Sequence, residues 1–485
     1  MKKILKISLT FSLVFSAICF SQQSRLLALG GLSIGIEDKD NSLTPFDFGN
    51  NPAWLFMDEK DSYLDISPAI SNSWGSYHRK FDSDGDMYYG TAFKGVKPLG
   101  ELGTFLGYTS YDYEVRRNYY RTLKYDTYSG EAFFFTDTTA GNFHYNGPTV
   151  NLMYSWELLP SLYSGASVSY QLLDGLKKIY TYGKTIYRNV GGNFGLVYQA
   201  NDNLLFGANY IFFDSQETIE SADVNLLNVE VFYYRGETYF VPDRGSSVTQ
   251  KIRKKGSTFS GQIFWQDSEK LQLALQTNYS PSNSKVLIPE GDYKEVEEGY
   301  AWFESFDIQL ISRYKIDNDL TAGIYTAYLN RDSWSRHSHK NLLLWEWSVK
   351  DLSIGIGSSY KITPELLAGI DYIFTNRAID SSKYIDNRYA DLSSNDHAVK
   401  LGVEYKIIKD VLLRGGCSLS LNGYDICFGG ENVKNNSFTF GVEVPVFETI
   451  LLDSYIRYSN ISPGNDSGKS RSFLGAFVSL KLNSF

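Results

Sequence analysis

His78 is followed by Asp82, Asp84 and Asp86. A histidine beside carboxylates can activate water as a general base. The run Asp82-Ser83-Asp84-Gly85-Asp86 also has the start of a calcium loop. Its glycine comes too early, however, and Phe93 stands where the bidentate glutamate belongs. His337-Ser338-His339 offers two imidazoles, which do not complete a metal site. The chain has neither G-x-S-x-G nor H-E-x-x-H. These residues read as a solvated acidic turn and a loop histidine pair. No enzyme activity, metal or cofactor is expected.

Two other groups carry chemistry of a different kind. The first is aromatic: Tyr111, Tyr113, Tyr119, Tyr120, Tyr125, Tyr128 and Phe133-Phe134-Phe135. Aromatics at this density on a surface loop stack on sugars or cover a hydrophobic ligand. Anchoring and loop-on-loop packing is the alternative. The second group is charged: Asp307, Arg313, Lys315, Asp371, Lys400, Glu404, Lys406, Arg414, Glu443, Asp453 and Arg457. Mixed charges on one face either set the selectivity of a pore or pair into a stiffening network. Which chemistry applies depends on the elements that hold them.

Those elements are strands. A short pattern recurs at 198–207, 314–323, 360–369 and 405–415: an aromatic strand end, a few polar residues, then a leucine or valine and a glycine. Each copy reads as a tight hairpin turn. The segment 352–362 shows the alternation plainly. Leu352, Ile354, Ile356, Tyr360 and Ile362 share one face, and Ser353, Gly355, Gly357, Ser359 and Lys361 the other. The same phase sends the whole charged group inward. About 18 strands follow from this test, or 14–16 if some segments are loop. Among the expected starts are Leu204, Leu271, Leu320, Leu366, Val411, Ile450 and Arg471. Others fall near Gly256, Trp302, Ser348, His397 and Ser437. Long loops are expected at 116–141, 216–255, 281–300, 331–344, 378–396, 423–436 and 460–470. A small hairpin is expected within 229–240.

Short turns at one end, long loops at the other and no long apolar run describe an all-β fold. It is a transmembrane antiparallel up-and-down β-barrel, with a bacterial outer membrane as its expected location. Lys2, Lys3, Lys6 and the apolar run that follows read as a signal peptide at 1–21. Its removal takes three positive charges, so the net charge of −9 becomes −12. That excludes nucleic acid as a partner. Outer-membrane lipid is the expected surrounding. The terminal Phe485 is out of phase with the apolar face of the last strand. Cys417 falls on a strand and Cys427 in the loop beyond, and their pairing stays open.

Residues 22–61 precede the barrel, which occupies 62–485. They carry more apolar groups than an exposed leader leaves wet, among them Phe46, Phe48, Trp54, Leu55 and Phe56. They are expected to fold into the lumen as an N-terminal plug. Gly30-Gly31, the acidic stretch 37–41 and Asn51-Pro52-Ala53 resemble the pre-barrel segment of the FadL-type outer-membrane transport family. The resemblance implies passive transport of a small hydrophobic or amphiphilic molecule. The alternative is a non-transporting surface scaffold, or a barrel serving a secretion system through its loops.

Overall fold

A computed structural model describes residues 50–58, 61–79, 81–120, 123–137, 140–177, 183–221, 231–234, 240–243, 248–267, 270–290, 294–384, 387–408, 411–425, 430–466 and 468–483. The expected signal peptide, residues 22–49, Cys427 and Phe485 lie outside them.

Eighteen antiparallel strands make one sheet, and each pairs with the next barrel strand along the chain. The first, Tyr63–Gly75, also pairs with the last, Arg471–Asn483, from Tyr63 opposite Asn483 to Gly75 opposite Arg471. The sheet is therefore closed and has no free edge, as a wall in lipid requires. Its outer face carries Ile324, Leu352, Ile354, Ile356, Ile370, Leu401, Val403, Phe440 and Ile456, all exposed. Their neighbours in the alternation, such as Ser359, Asp371, Thr439 and Asp453, are buried on the inner face. An apolar exterior around a polar interior is the reverse of a soluble fold and marks a membrane wall.

At one end the strands join in short polar turns. The Asp317 carboxylate accepts from the Asp319 and Leu320 amides at 2.8 and 2.7 Å, and Asn201 accepts from the Asn203 amide at 2.9 Å. These side chains fix the turn by substituting for backbone partners. The strands starting at Leu204, Leu271, Leu320, Leu366, Val411, Ile450 and Arg471 begin where the sequence places them.

The other end departs from the sequence reading. The segments expected as loops at 216–255, 281–300, 331–344, 378–396 and 423–436 are largely strand. Val248–Asp267, Lys294–Lys315, Leu342–Thr363, Arg388–Ile408 and Glu431–Phe447 all start earlier than expected. Lys294–Lys315 and Leu342–Thr363 run to 22 residues each. A tilted strand crosses a bilayer in about 9–11 residues. The excess length stands beyond the apolar band, where the buried apolar residues are instead on the inner face, Ile219, Ile252, Val286 and Leu344 among them, so the lipid-facing alternation ends although pairing continues. A second sheet of three short strands, Phe134–Asp137, Val231–Tyr234 and Phe240–Asp243, sits at this end.

Candidate functional site

The lumen is occupied near both ends. At the short-turn end the occupant is the segment just before the first strand. Asn51 caps a 3-10 turn at Pro52–Trp54, its side-chain oxygen accepting from the Ala53 amide at 3.0 Å. Proline suits the first position of such a turn because no N–H is needed there. The Asn51 amide nitrogen donates to the Leu196 and Ala208 carbonyls at 3.0 and 3.2 Å, and to Gln262 Oε1 at 3.0 Å. Ser155 donates to the Ala53 carbonyl at 3.0 Å. Trp54 packs with Val197, Leu205, Phe264 and Ala274. All of these partners belong to strands four to nine of the barrel. Gly165 and Gly195 form the seat, since a β-carbon on either would strike the Asn51–Trp54 segment, and one on Gly207 would crowd Trp54 and strike Gln262, which holds Asn51. The triplet singled out in the sequence is therefore bound to the inner wall.

At the long-loop end the occupant is the aromatic loop. The sequence left open whether its aromatics meet a ligand or pack, and in the structure those of 123–135 are packed. Tyr119 and Tyr120 close the strand Thr104–Tyr120. Residues 123–135 then turn inward, leaving Leu123, Phe133 and Phe135 at most 1% exposed. Leu123, Phe134 and Phe135 join Phe143, Tyr145, Ile219 and Ile252 in one cluster, with Tyr125 and Tyr128 against it. Ala132 and Phe133 join Val286 and Leu344 in another. The loop leaves the third barrel strand, whereas Leu344 lies on the twelfth, on the opposite side of an 18-stranded wall. It therefore crosses the mouth. The aromatic surface that would be costly to expose is buried against the lumen rather than offered to solvent.

Polar bonds hold the loop in place. The Phe135 amide donates to Gln250 Oε1 at 3.0 Å, the Phe81 amide to the Tyr128 hydroxyl at 3.1 Å, and the Tyr125 amide to Glu217. Arg116 lies 4.7 Å from the centres of both the Tyr125 and Tyr145 rings. Lys124 and Glu131 form a buried ion pair. Burial opposes the Lys124 charge, but Glu131, Glu217 and Asp126 outweigh it and raise its pKa. Burial likewise opposes the Glu131 charge, yet Lys124 holds this carboxyl below its ordinary value. Burial raises Asp126.

Between these two ends the wall is polar. Gln262 faces Gln276 across one strand pair, and Gln276 faces Gln309 across the next. The adjacent row is Asn209, Ser260, Asn278 and Asp307, again in direct register. Further round the wall, Arg414 is 1% exposed and meets three carboxylates. It bonds Glu404 at 2.9 Å, Asp453 at 3.0 and 3.1 Å, and Glu443. Lys400 stands opposite Asp371 in register, and Arg457 donates to Ser437 at 3.0 Å. Lys315, Arg313 and Lys406 share the inner face with Asp307 and Glu404. The sequence reading missed a second group, in which Arg377 bonds Asp351 at 2.7 and 3.0 Å and reaches Asp396 at 3.3 Å. Of its residues only Asp396 lies in a segment taken for loop.

The acidic turn is tied to its surroundings. Arg79 binds Asp82, His78 lies 3.2 Å from Asp84, and Asp86 meets Arg471 at 2.8 Å. Among the described residues no group of three His, Cys, Asp or Glu side chains is placed to hold a metal.

No family model and no curated protein matches the chain. Solved structures that align with it include the Ralstonia pickettii toluene transporter TbuX, at 11% identity and TM-score 0.35, covering 97% of this chain and 100% of that one. A Pseudomonas aeruginosa FadL homologue aligns at 12% identity and TM-score 0.36, over 94% and 96%. The ferric citrate transporter FecA aligns at 8% identity and TM-score 0.47, over 87% and 79%. At identities and TM-scores this low, any functional conclusion rests on the chain's own geometry.

Proposed function

We propose that this barrel lies in a bacterial outer membrane and conducts a small molecule passively through its lumen. The long-loop end faces outward and the short turns face the periplasm. The loop 123–135 closes the outer mouth at rest. Residues 22–61 form the inner plug, with Asn51-Pro52-Ala53 as its fixed point on the wall. The observation that carries this reading is the loop itself, which crosses from the third barrel strand to the twelfth inside a closed wall. A barrel serving only as a scaffold needs no such crossing piece over a polar interior. The substrate class implied by the family resemblance is hydrophobic or amphiphilic. The apolar ends suit such a molecule, and the polar waist favours an amphiphilic one over a pure hydrocarbon.

The small outer sheet supports a second reading. It joins two loops from separate hairpins into one platform on which a surface partner can dock. Planar-bilayer recording separates the two readings. The full chain is compared with a variant in which residues 124–131 are replaced by a short Gly-Ser linker. Sustained current in the variant and brief or small events in the parent support a gated conduit. Silence in both supports the scaffold.

A further inference from the structure

We infer that the outer wall carries a site for a phosphorylated lipid of the leaflet at the long-loop end, centred on Arg188 and Arg253. The inference goes beyond the conduit reading and needs only the lipid-facing wall. The first observation is a register row on four neighbouring strands, Gly183–Asn201, Leu204–Ser221, Val248–Asp267 and Leu271–Glu290. Arg188 stands opposite Gln216, Gln216 opposite Arg253, and Arg253 opposite Lys285. Three cations therefore share one short row. Lys251 and Lys255 lie to either side of Arg253 on the same face of its strand. The whole chain has a net charge of −9, so this concentration of cations is local.

The second observation is how these charges are matched. Each lysine has an acid: Lys255 lies 3.0 Å from Asp214, Lys285 2.8 Å from Glu297, and Lys251 bonds Glu295. The two arginines do not. Both are exposed, and both donate to one neutral atom, Gln216 Oε1, at 3.0 Å from Arg188 and 3.2 Å from Arg253. The Gln216 amide nitrogen donates to Thr218 at 3.2 Å, which keeps the oxygen turned toward the arginines. Among the described residues neither guanidinium has a carboxylate within ion-pair distance. Two guanidiniums brought to one carbonyl repel each other. One bond apiece leaves most of each fork's N–H groups to a further acceptor. A phosphate between them offsets the repulsion and accepts from both forks, the pairing that guanidinium geometry suits.

The third observation points to a lipid as the source of that phosphate. Val190, Phe212, Phe259 and Tyr279 follow the row on the same faces of the same strands, toward the short turns, and all are exposed. Tyr210 packs against Phe212 and Phe259, with ring centres 6.3 and 5.0 Å apart. The cations thus stand directly above an aromatic, lipid-facing surface. Acyl chains lie on the rings while the headgroup reaches the arginines. A free phosphate ion would use the arginines and gain nothing from the rings below.

The test uses the full chain in a neutral detergent and reads bound lipid by native mass spectrometry. The probes are a diphosphorylated glucosamine lipid, the same lipid without its phosphates, phosphatidylcholine and inorganic phosphate. The parent should retain the diphosphorylated lipid and hold the other three about tenfold more weakly or less. Replacing Arg188 and Arg253 together by glutamine should weaken retention by about ten- to thirtyfold, the scale of two cations at an anionic surface. Replacing both by lysine should recover only part of it, because an ammonium lacks the planar fork. Lys361→Gln, at the short-turn end, should change nothing. Heat-modifiable mobility shows whether the double variant has folded. If it has not, Arg253→Gln alone carries the test, with a loss of about three- to sixfold. Equal retention of the phosphorylated and dephosphorylated lipids, or equal retention by parent and glutamine variant, would overturn the site. Inorganic phosphate held as tightly as the lipid would overturn the lipid as its occupant. Conduction plays no part in this assay, so silence of the loop-replaced chain in planar bilayers would fail the conduit and leave this site standing.

Discussion

Gly195 and Arg414 show what single side chains control here. Gly195 leaves room for the Asn51 side chain against the wall. Gly195→Val should expel the segment while the wall still closes. The purified variant should stay heat-modifiable yet become open to protease cleavage near Asn51, where the parent resists. Arg414 bridges Glu404, Glu443 and Asp453. Arg414→Met would take this shared counter-charge from three inward-facing carboxylates, and removing one partner of a buried pair costs about 3–5 kcal/mol. Urea unfolding in lipid should show the loss. Arg414→Lys should fall between, because an ammonium lacks the planar fork that reaches three acceptors.

The elements are the mouth loop and the individual strands. The loop depends on the Lys124–Glu131 pair, both side chains being at most 3% exposed. A carboxylate whose pKa is depressed by folding contributes stability above its unfolded pKa and loses it as pH falls through the folded value. Glu131 is such a group, so seating should weaken below pH 4.5. Asp126 is raised and acts in the opposite sense, favouring the seated loop as it takes up its proton. Opening should therefore be confined to strong acid. Conductance followed against pH should rise there, and Glu131→Gln should conduct already at neutral pH. On the strand Leu342–Thr363, Ile356 faces outward at 57% exposure and Gly357 inward. Ile356→Arg should cost about 2–4 kcal/mol near the bilayer midplane. Gly357→Ser should be mild, and equal folding yields for the two would refute the assigned phase.

For the whole molecule the testable quantity is orientation. If the short turns face the periplasm, a cysteine placed at Asp317 or Pro364 should resist a membrane-impermeant label in intact cells. One placed at Ser382 should react. Labelling at Asp317 in sealed cells would invert the barrel. Deleting residues 24–55 should leave an assembled barrel, because the eighteen strands close through their own backbone pairing. Conductance should then rise, since Asn51 and Trp54 no longer occupy the inner end.

The sequence by itself determined the class, the strand phase and the short turns. These are local: a period of two places Ile356 and Gly357 on opposite faces whatever surrounds them, and Asp317 makes its own turn. It did not determine the upper wall, since a strand beyond the lipid has no apolar outer face, and its inner apolar residues such as Ile252 and Val286 are covered only by a loop from elsewhere in the chain. It also left the aromatic loop undecided between exposure and packing. Tyr125, Phe133 and Phe135 have the same composition whether they face solvent or a lumen, and only the closed barrel offers them an interior within reach. The waist depends on register in the same way. Gln262, Gln276 and Gln309 are unremarkable on three separate strands, and pairing with no offset is what sets them side by side. The physical reason is one of range. Side-chain periodicity is fixed by neighbours along the chain, whereas register, closure and the filling of a cavity are fixed by contacts between residues far apart in it.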